Sequence, residues 1–225
     1  LHDALPILKE GVAKEKISFV GNIMIDSLIQ FQNKAKESDI LLRITADSGK
    51  EVTKQNYSLI TLHRPSNVDS KEGLITILNA FEEISKHIKL VFPIHPRTKK
   101  QIKEFNLQDK VDKMENLLLV PPVGYYDFLN LEMNAKFILT DSGGIQEEST
   151  YFGVPCLTLR PNTERPITIT EGTNKLCKLD TKSIISDSMD ILSGNTKEGK
   201  IPKFWDGETA VRIVEIFRDK FYGDK

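Results

Sequence analysis

The sequence predicts an α/β fold: a doubly wound, Rossmann-like parallel sheet. Three observations carry this reading. Short apolar runs alternate along the chain with helical patterns. The runs are not strictly alternating in polarity, as strands buried on both faces require. The intervening segments repeat their apolar residues with a 3.6-residue period. The strand-type runs are residues 17–20, 57–62, 90–94, 117–120, 137–140 and 154–159, with a weaker one at 175–179. Helices are expected at 23–35 (Ile25, Leu28, Ile29, Phe31) and 73–88 (Leu74, Ile77, Leu78, Phe81, Ile84). Shorter ones are expected at 98–104, 125–133, 143–151, 181–192 and 208–221. Residues 36–54 are polar and charge-mixed and read as a helix end, a loop and the approach to a strand. Residues 193–207 read as a loop before a last helix that is apolar around much of its girth and needs a partner surface. Alternation of this kind gives βαβ units with right-handed crossovers.

Composition bounds the rest. The chain has 225 residues, 31 Lys+Arg against 32 Asp+Glu and a net charge of −1, with 39% hydrophobic residues. That is enough chain for one substantial core and lies far from disordered composition. The balanced charge leaves no footprint for nucleic acid or an anionic membrane surface. Two cysteines, Cys156 and Cys177, cannot build a disulfide framework or a four-cysteine zinc site. No apolar run reaches the roughly 18 residues of a spanning helix, so no membrane insertion is expected, and a cytoplasmic protein is. The chain opens on Leu1, which suggests a portion of something longer.

In open α/β sheets, ligands bind beyond the carboxyl ends of the strands, so the residues just after each run matter most. They are His63-Arg64-Pro65-Ser66-Asn67, His95-Pro96-Arg97-Thr98, Asp141-Ser142-Gly143-Gly144 through Glu148, and Arg160 through Glu164-Arg165-Pro166. Ser142 suits an N-cap, and Gly143 and Gly144 let a ligand approach the backbone. The free N–H groups and dipole of the following helix then suit a phosphate. Glu148 could accept hydrogen bonds from ribose or sugar hydroxyls, or belong to a solvated acidic face. His63 beside Arg64, and His95 beside Arg97, pair an imidazole with a cation suited to a diphosphate leaving group, or serve packing and capping. Arg160 and Arg165 flank Glu164 and could equally be a structural ion-pair network. His87, inside a helical pattern, reads as a surface residue, and Cys156 as core.

Other sites lack their motifs. Gly49-Lys50 is not preceded by the spacing of a phosphate-binding loop, and no G-x-G-x-x-G follows a strand. His63 and His95 lack zinc-protease spacing, and Ser142 lacks the nucleophile elbow. A nucleoside diphosphate held by helix dipole and guanidinium, with no metal and no cofactor, fits the residues.

These segments resemble the UDP-N-acetylglucosamine 2-epimerase family. The resemblance rests on 61–67 (TLHRPSN), 95–97 (HPR), 141–148 (DSGGIQEE), 153–155 (GVP) with 163–166 (TERP), 171–174 (EGTN) and 21–26 (GNIMID), in family order and spacing. It runs from about Leu8 to the C-terminus; Leu1–Ile7 departs from the pattern, and Ile167 stands where many members have Glu. The resemblance implies a GT-B arrangement of two Rossmann-like domains, of which this chain is similar to the C-terminal, UDP-binding half. On that basis residues 1–20 are expected to connect from a missing N-terminal domain, 21–205 to form the UDP-binding domain, and 206–225 to pack on the missing one. The missing domain would hold the acidic residues that move the proton at sugar C2.

The family converts UDP-GlcNAc to UDP-ManNAc by eliminating UDP and adding it back, in the service of cell-envelope polysaccharide. Carried over by motif, His63 would be catalytic, assisting the UDP leaving group. Arg64, Ser142, Gly143, Gly144, Glu148 and Arg165 would bind UDP, and His95, Arg97 and Glu164 would contribute to a secondary or activator site. UDP-GlcNAc and UDP are the expected partners, and a homodimer the expected full-length state. A hydrolysing enzyme giving ManNAc and UDP, or a GT-B glycosyltransferase donor domain, are the alternatives. The chain alone is expected to bind UDP without epimerising.

Overall fold

The computed structural model describes residues 5–223. Its elements, in chain order, are α1 (Leu5–Lys9), α2 (Ile23–Lys36), α3 (Ile40–Ser48), β1 (Tyr57–Thr61), α4 (Pro65–Val68), α5 (Lys71–Ile84), β2 (Lys89–Pro93), α6 (Pro96–Glu104), α7 (Gln108–Asp112) and β3 (Leu117–Val120). They continue with α8 (Tyr125–Asn134), β4 (Phe137–Thr140), α9 (Gly143–Phe152), β5 (Cys156–Thr158), α10 (Pro166–Thr170), β6 (Asn174–Leu176), α11 (Thr181–Leu192) and α12 (Thr209–Tyr222).

All strand pairings are parallel, in the order β3-β2-β1-β4-β5-β6. This is the doubly wound order, and its direction reverses between β1 and β4. The central strands are buried on both faces because their side chains alternate between two cores. Tyr57 and Leu59 of β1 face a cluster with Ile40, Ile44, Leu131 and Val154. Ile60 and Leu62 face the larger cluster built on Phe81, Phe92, Phe137 and Ile184. Each of these buried side chains contributes roughly 1.5–3 kcal/mol from desolvation alone. A third cluster seats Ile25 and Leu28 of α2 against Leu129 and Trp205.

Local chemistry sets the helix ends. Asn22, Ser70 and Asp180 accept hydrogen bonds from Met24 N, Gly73 N and Ser183 N and so start α2, α5 and α11. Gly49 and Gly153 end α3 and α9 in left-handed conformations at φ 66° and 70°.

Several expectations need correction. Residues 17–20 form no strand: Phe19 packs on Phe204 with ring centroids 5.4 Å apart, and the Val20 carbonyl accepts from Arg212 Nη1 at 3.1 Å. Apolar packing on the C-terminal segment, not sheet pairing, explains that run. Residues 36–54 contain α3, which buries Ile40 and Ile44. The helix expected at 73–88 spans Lys71–Ile84, so His87 lies in the turn after it, exposed as anticipated. The last helix leaves Val211, Val214, Phe217 and Phe221 more than half or half exposed.

Candidate functional site at the sheet switch point

The crevice opens where the strand order reverses, between the carboxyl ends of β1 and β4. Thr61 and Thr140 meet there, hydroxyl to hydroxyl, at 2.5 Å. Immediately beyond, Asp141 is fully buried and organises the junction. Its Oδ2 accepts from His63 N (3.0 Å), Arg64 N (2.8 Å) and Asn67 Nδ2 (3.2 Å). Its Oδ1 lies 3.1 Å from His63 Nδ1. Asn67 also donates to the Leu159 carbonyl at 3.0 Å, which ties the end of β5 to the same carboxylate. A carboxylate that receives Nδ1–H fixes the imidazole ring and leaves Nε2 for a ligand.

Ser142 occupies the N-cap position of α9, but its side chain makes no capping bond. Thr140 Oγ1 accepts from Ser142 N at 2.9 Å, which fixes the chain's entry into α9 and leaves its first turn uncapped by any side chain. A Cβ added at Gly143 or Gly144 would meet nothing within 4 Å, so open space lies over the first turn of α9. The unpaired N–H groups of that turn and the helix dipole favour an anion in that space.

Further along α9 the side chains are buried rather than solvated, which removes the acidic-face reading. Glu148 accepts from the Tyr125 hydroxyl at 3.0 Å, and burial raises its carboxyl above the usual range. Glu147 accepts from Asn22 Nδ2 at 2.8 Å and pairs with Arg165 Nε at 2.9 Å. Gln146 Nε2 donates to the Ser142 carbonyl, and its oxygen accepts from Thr163 and Asn174, linking α9 to the loop after β5. In that loop Arg160 grips Glu164 through two bonds of 2.6 and 2.7 Å and holds its carboxyl down at about 2. Arg64 Nη1 stands 3.6 Å from the same carboxylate.

The residues expected at a secondary site divide. The rings of His95 and His63 lie 5.5 Å apart, and both line a cleft of about 250 Å³ with Thr61, Pro96, Ser142 and Ile145. Glu164 joins Arg64 and Arg160 at the main crevice. Arg97 is engaged in two bonds to Asp69, at 2.9 and 2.5 Å, and holds that carboxyl below its ordinary range. A larger open groove of about 760 Å³ beside α2, α3 and α8 contains none of the residues selected from sequence. Asp141, Asn67 and Gln146 escaped selection. Asp141 heads a motif already singled out, and its place directly after β4 was the available signal. Among the described residues, no group of three or more His, Cys, Asp or Glu is placed to hold a metal ion. Among the same residues, no helix is long and apolar enough to cross a membrane.

Fold and crevice together define the class: a Rossmann-like domain whose switch-point crevice faces the open first turn of a helix. Known proteins narrow it. The family model described as UDP-N-acetylglucosamine 2-epimerase matches residues 3–218, and the chain belongs to that family. The match includes residues 3–7, which the motifs alone had set aside. A UDP-N-acetylglucosamine 2-epimerase of Methanocaldococcus jannaschii is 43% identical over 212 residues, covering 93% of this chain and 57% of the relative. The Methanocaldococcus jannaschii UDP-GlcNAc 2-epimerase crystal structure in complex with UDP-GlcNAc and UDP aligns with a TM-score of 0.78 at 40% identity, over 93% of this chain and 57% of that one. The Neisseria meningitidis enzyme bound to UDP-GlcNAc aligns with a TM-score of 0.77 at 30% identity, over 94% and 57%. This chain therefore spans little more than half the length of the relatives it matches. Its fold is that of one Rossmann-like unit of their GT-B arrangement.

Proposed function

We propose that this chain supplies the nucleotide-binding side of a UDP-N-acetylglucosamine 2-epimerase, an isomerase that interconverts UDP-GlcNAc and UDP-ManNAc. One observation carries the reading: Asp141 orients His63 beside the open first turn of α9, at the switch point of a chain whose relatives hold UDP-GlcNAc and UDP. In the elimination step, the sugar C1–O bond breaks and its electron pair leaves on the β-phosphate oxygen, while a base removes the C2 proton. Re-addition re-forms the C1–O bond with the same diphosphate oxygen and delivers a proton to the opposite face of C2, which inverts that centre. This chain's residues serve the departing diphosphate. The first-turn N–H groups after Ser142, at Gly143 and Gly144, meet phosphate oxygens, with His63 Nε2 and the guanidinium groups of Arg64 and Arg165 as further donors. Glu148 receives the ribose hydroxyls.

The carboxylates of the crevice are already committed. Asp141 is bound to backbone N–H groups, Glu164 to Arg160, and Glu147 to Arg165. The C2 base is therefore assigned to residues opposite the crevice, and the exposed face of α12 to a surface that packs on them. A homodimer, a cytoplasmic setting and a role in envelope polysaccharide belong to the same reading.

Calorimetric titration of UDP into the 225-residue chain tests this. Saturable binding without UDP-ManNAc formation is the expected result. Turnover by the chain alone, or acceptor-dependent UDP release, would overturn it in favour of a complete site or a transferase.

A further inference from the structure

Behind the crevice lies a further buried acidic side chain, Glu132, with unusual surroundings. It lies on α8, fully buried, and neither carboxyl oxygen receives an N–H or O–H donor among the described residues. Seven residues earlier on the same helix, hence on the same face, stands Tyr125. Tyr125 donates to Glu148 on α9, and Glu132 lies within hydrogen-bonding reach of that same Glu148 carboxyl. The other titratable groups facing this pair are Glu147 on α9, Tyr57 on β1 and Cys156 on β5. None of them is a cation; Arg165 pairs with Glu147 through Oε1, the oxygen that also accepts from Asn22.

Two ionised carboxylates cannot be accommodated there. An ionised Glu132 would be a buried charge without donors, facing a second negative charge, a combination that a low-dielectric interior strongly disfavours. A proton on Glu132 resolves both problems at once: the charge disappears, and the new O–H finds an acceptor in Glu148. Burial and the neighbouring Glu148 both raise the Glu132 carboxyl well above the usual range, while the hydrogen bonds from Tyr125 and Glu132 oppose the same rise at Glu148. Geometry distinguishes the two: Glu148 already accepts from Tyr125, while Glu132 has no donor, so a proton shared by the pair belongs on Glu132.

We infer that Glu132 is a positioning residue: as a neutral carboxyl it donates a hydrogen bond to Glu148 and aims the Glu148 carboxylate at the vicinal hydroxyls of a ribose. The inference rests on the proposed nucleotide site, in which Glu148 takes those hydroxyls. With Tyr125 and Glu132 donating from α8, the carboxylate of Glu148 is held by two fixed donors and its remaining lone pairs serve the ligand. The sign of the pH dependence follows. A carboxyl raised in the folded state contributes fully below its unfolded value, and that contribution fades as pH rises through the folded value. Loss of the Glu132 proton on the alkaline side sets two buried negative charges together and weakens ligand binding.

Two isosteric variants of the 225-residue chain separate this role from simple packing, with UDP as the probe. Glu132→Gln keeps a donor and a neutral group, so UDP affinity stays within about threefold and the alkaline loss of affinity disappears. Glu132→Met keeps volume without a donor, so UDP affinity falls by about tenfold to a hundredfold. With 2′,3′-dideoxy-UDP, the gap between the parent and Glu132→Met collapses. Equal UDP affinity for the Gln and Met variants, or an undiminished gap with the dideoxy ligand, would overturn the inference. The proton itself is read without ligand, by infrared difference between the parent and Glu132→Gln at neutral pH. A protonated-carboxyl band in the parent is expected, and its absence refutes the neutral Glu132. If the variants do not fold, carbon-13 labelling of glutamate carboxyls in the parent reads the same proton. If the parent fails to bind UDP while the band is present, the proposed function falls and the Glu132–Glu148 proton stands.

Discussion

Asp141→Asn is the sharpest test of the crevice, because one buried carboxylate holds three backbone and side-chain donors and an imidazole. In the parent, Oδ2 accepts from His63 N, Arg64 N and Asn67 Nδ2. Asparagine keeps an oxygen there but removes its charge. A hydrogen bond to a charged acceptor contributes about 1.5–3 kcal/mol and one to a neutral acceptor about 0.5–1.5 kcal/mol, so each of the donors loses about 1 kcal/mol. Removing the buried charge gives back about 1 kcal/mol of desolvation, a partial offset. The net loss is about 2 kcal/mol. With a urea slope of roughly 2 kcal/mol per molar, the unfolding midpoint falls by about 1 M. The second effect is on His63. The amide NH₂ now faces Nδ1 and donates to it, which moves the imidazole proton to Nε2. Nitrogen-15 spectra of the imidazole would show the exchanged tautomer, and UDP affinity would fall about tenfold. An unchanged midpoint together with an unchanged tautomer would refute the role given to Asp141.

Other expectations follow from single contacts. Gly144→Ala adds a Cβ that meets nothing within 4 Å, on a helical residue, so thermal stability holds or rises by up to about 1 kcal/mol while UDP affinity drops; unaffected UDP binding would move the phosphate elsewhere. Gly21→Ala fails differently: φ is +114° and the Cβ would collide with the Phe204 carbonyl, so a loss of roughly 2 kcal/mol or more is expected, with UDP affinity kept in the folded fraction. Glu164→Gln should lower stability above about pH 4, because the parent carboxyl is depressed by Arg160. The two proteins should converge as pH falls through about 2, where that carboxyl gains its proton. A constant gap down to the most acid pH reached would contradict the pairing. His63→Ala, which removes a ring half-exposed at the cleft, should leave urea stability within about 0.5 kcal/mol and weaken UDP binding.

The sheet was legible because its strands are buried on both faces. Runs such as 137–140 contain no solvent-facing positions to break the apolar signal, and every residue of β4 is buried. Helix α11 was legible to its last residue, since Asp180 caps it and its apolar period is unbroken. Helix α3 was not. Its Ile40–Ile44 stripe sits among Asp, Ser and Lys, and the polar average concealed an Asp at its N-cap position and a left-handed Gly49 at its end. Helices α4, α7 and α10 are four or five residues long, less than two turns, too short for a period to show. The site motifs were legible for a topological reason, because a doubly wound sheet places the residues after its strands at one edge. Partnerships across that edge were not. Nothing local to Glu132 marks it as buried against Glu148, and nothing in Asp69 shows that it takes Arg97.

A net charge of −1 gives no sign of the proposed anion site, and the pairing around the crevice explains the silence. The acidic residues around the crevice are matched at close range: Glu164 with Arg160, Glu147 with Arg165 and Asn22, and Asp141 with backbone N–H groups. Matched pairs cancel in the sum and also in the local field beyond a few ångströms. What remains directed at the open space is the first turn of α9 with the His63 and His95 rings beside it, groups that a charge count does not register. Electrostatic preorganisation of this kind depends on direction, not on excess charge. A diphosphate would therefore meet fixed dipoles and a few guanidinium groups whose partners already hold them in place. Arg165 illustrates the point: its pairing with Glu147 limits the rotamer freedom that a free arginine would lose on binding.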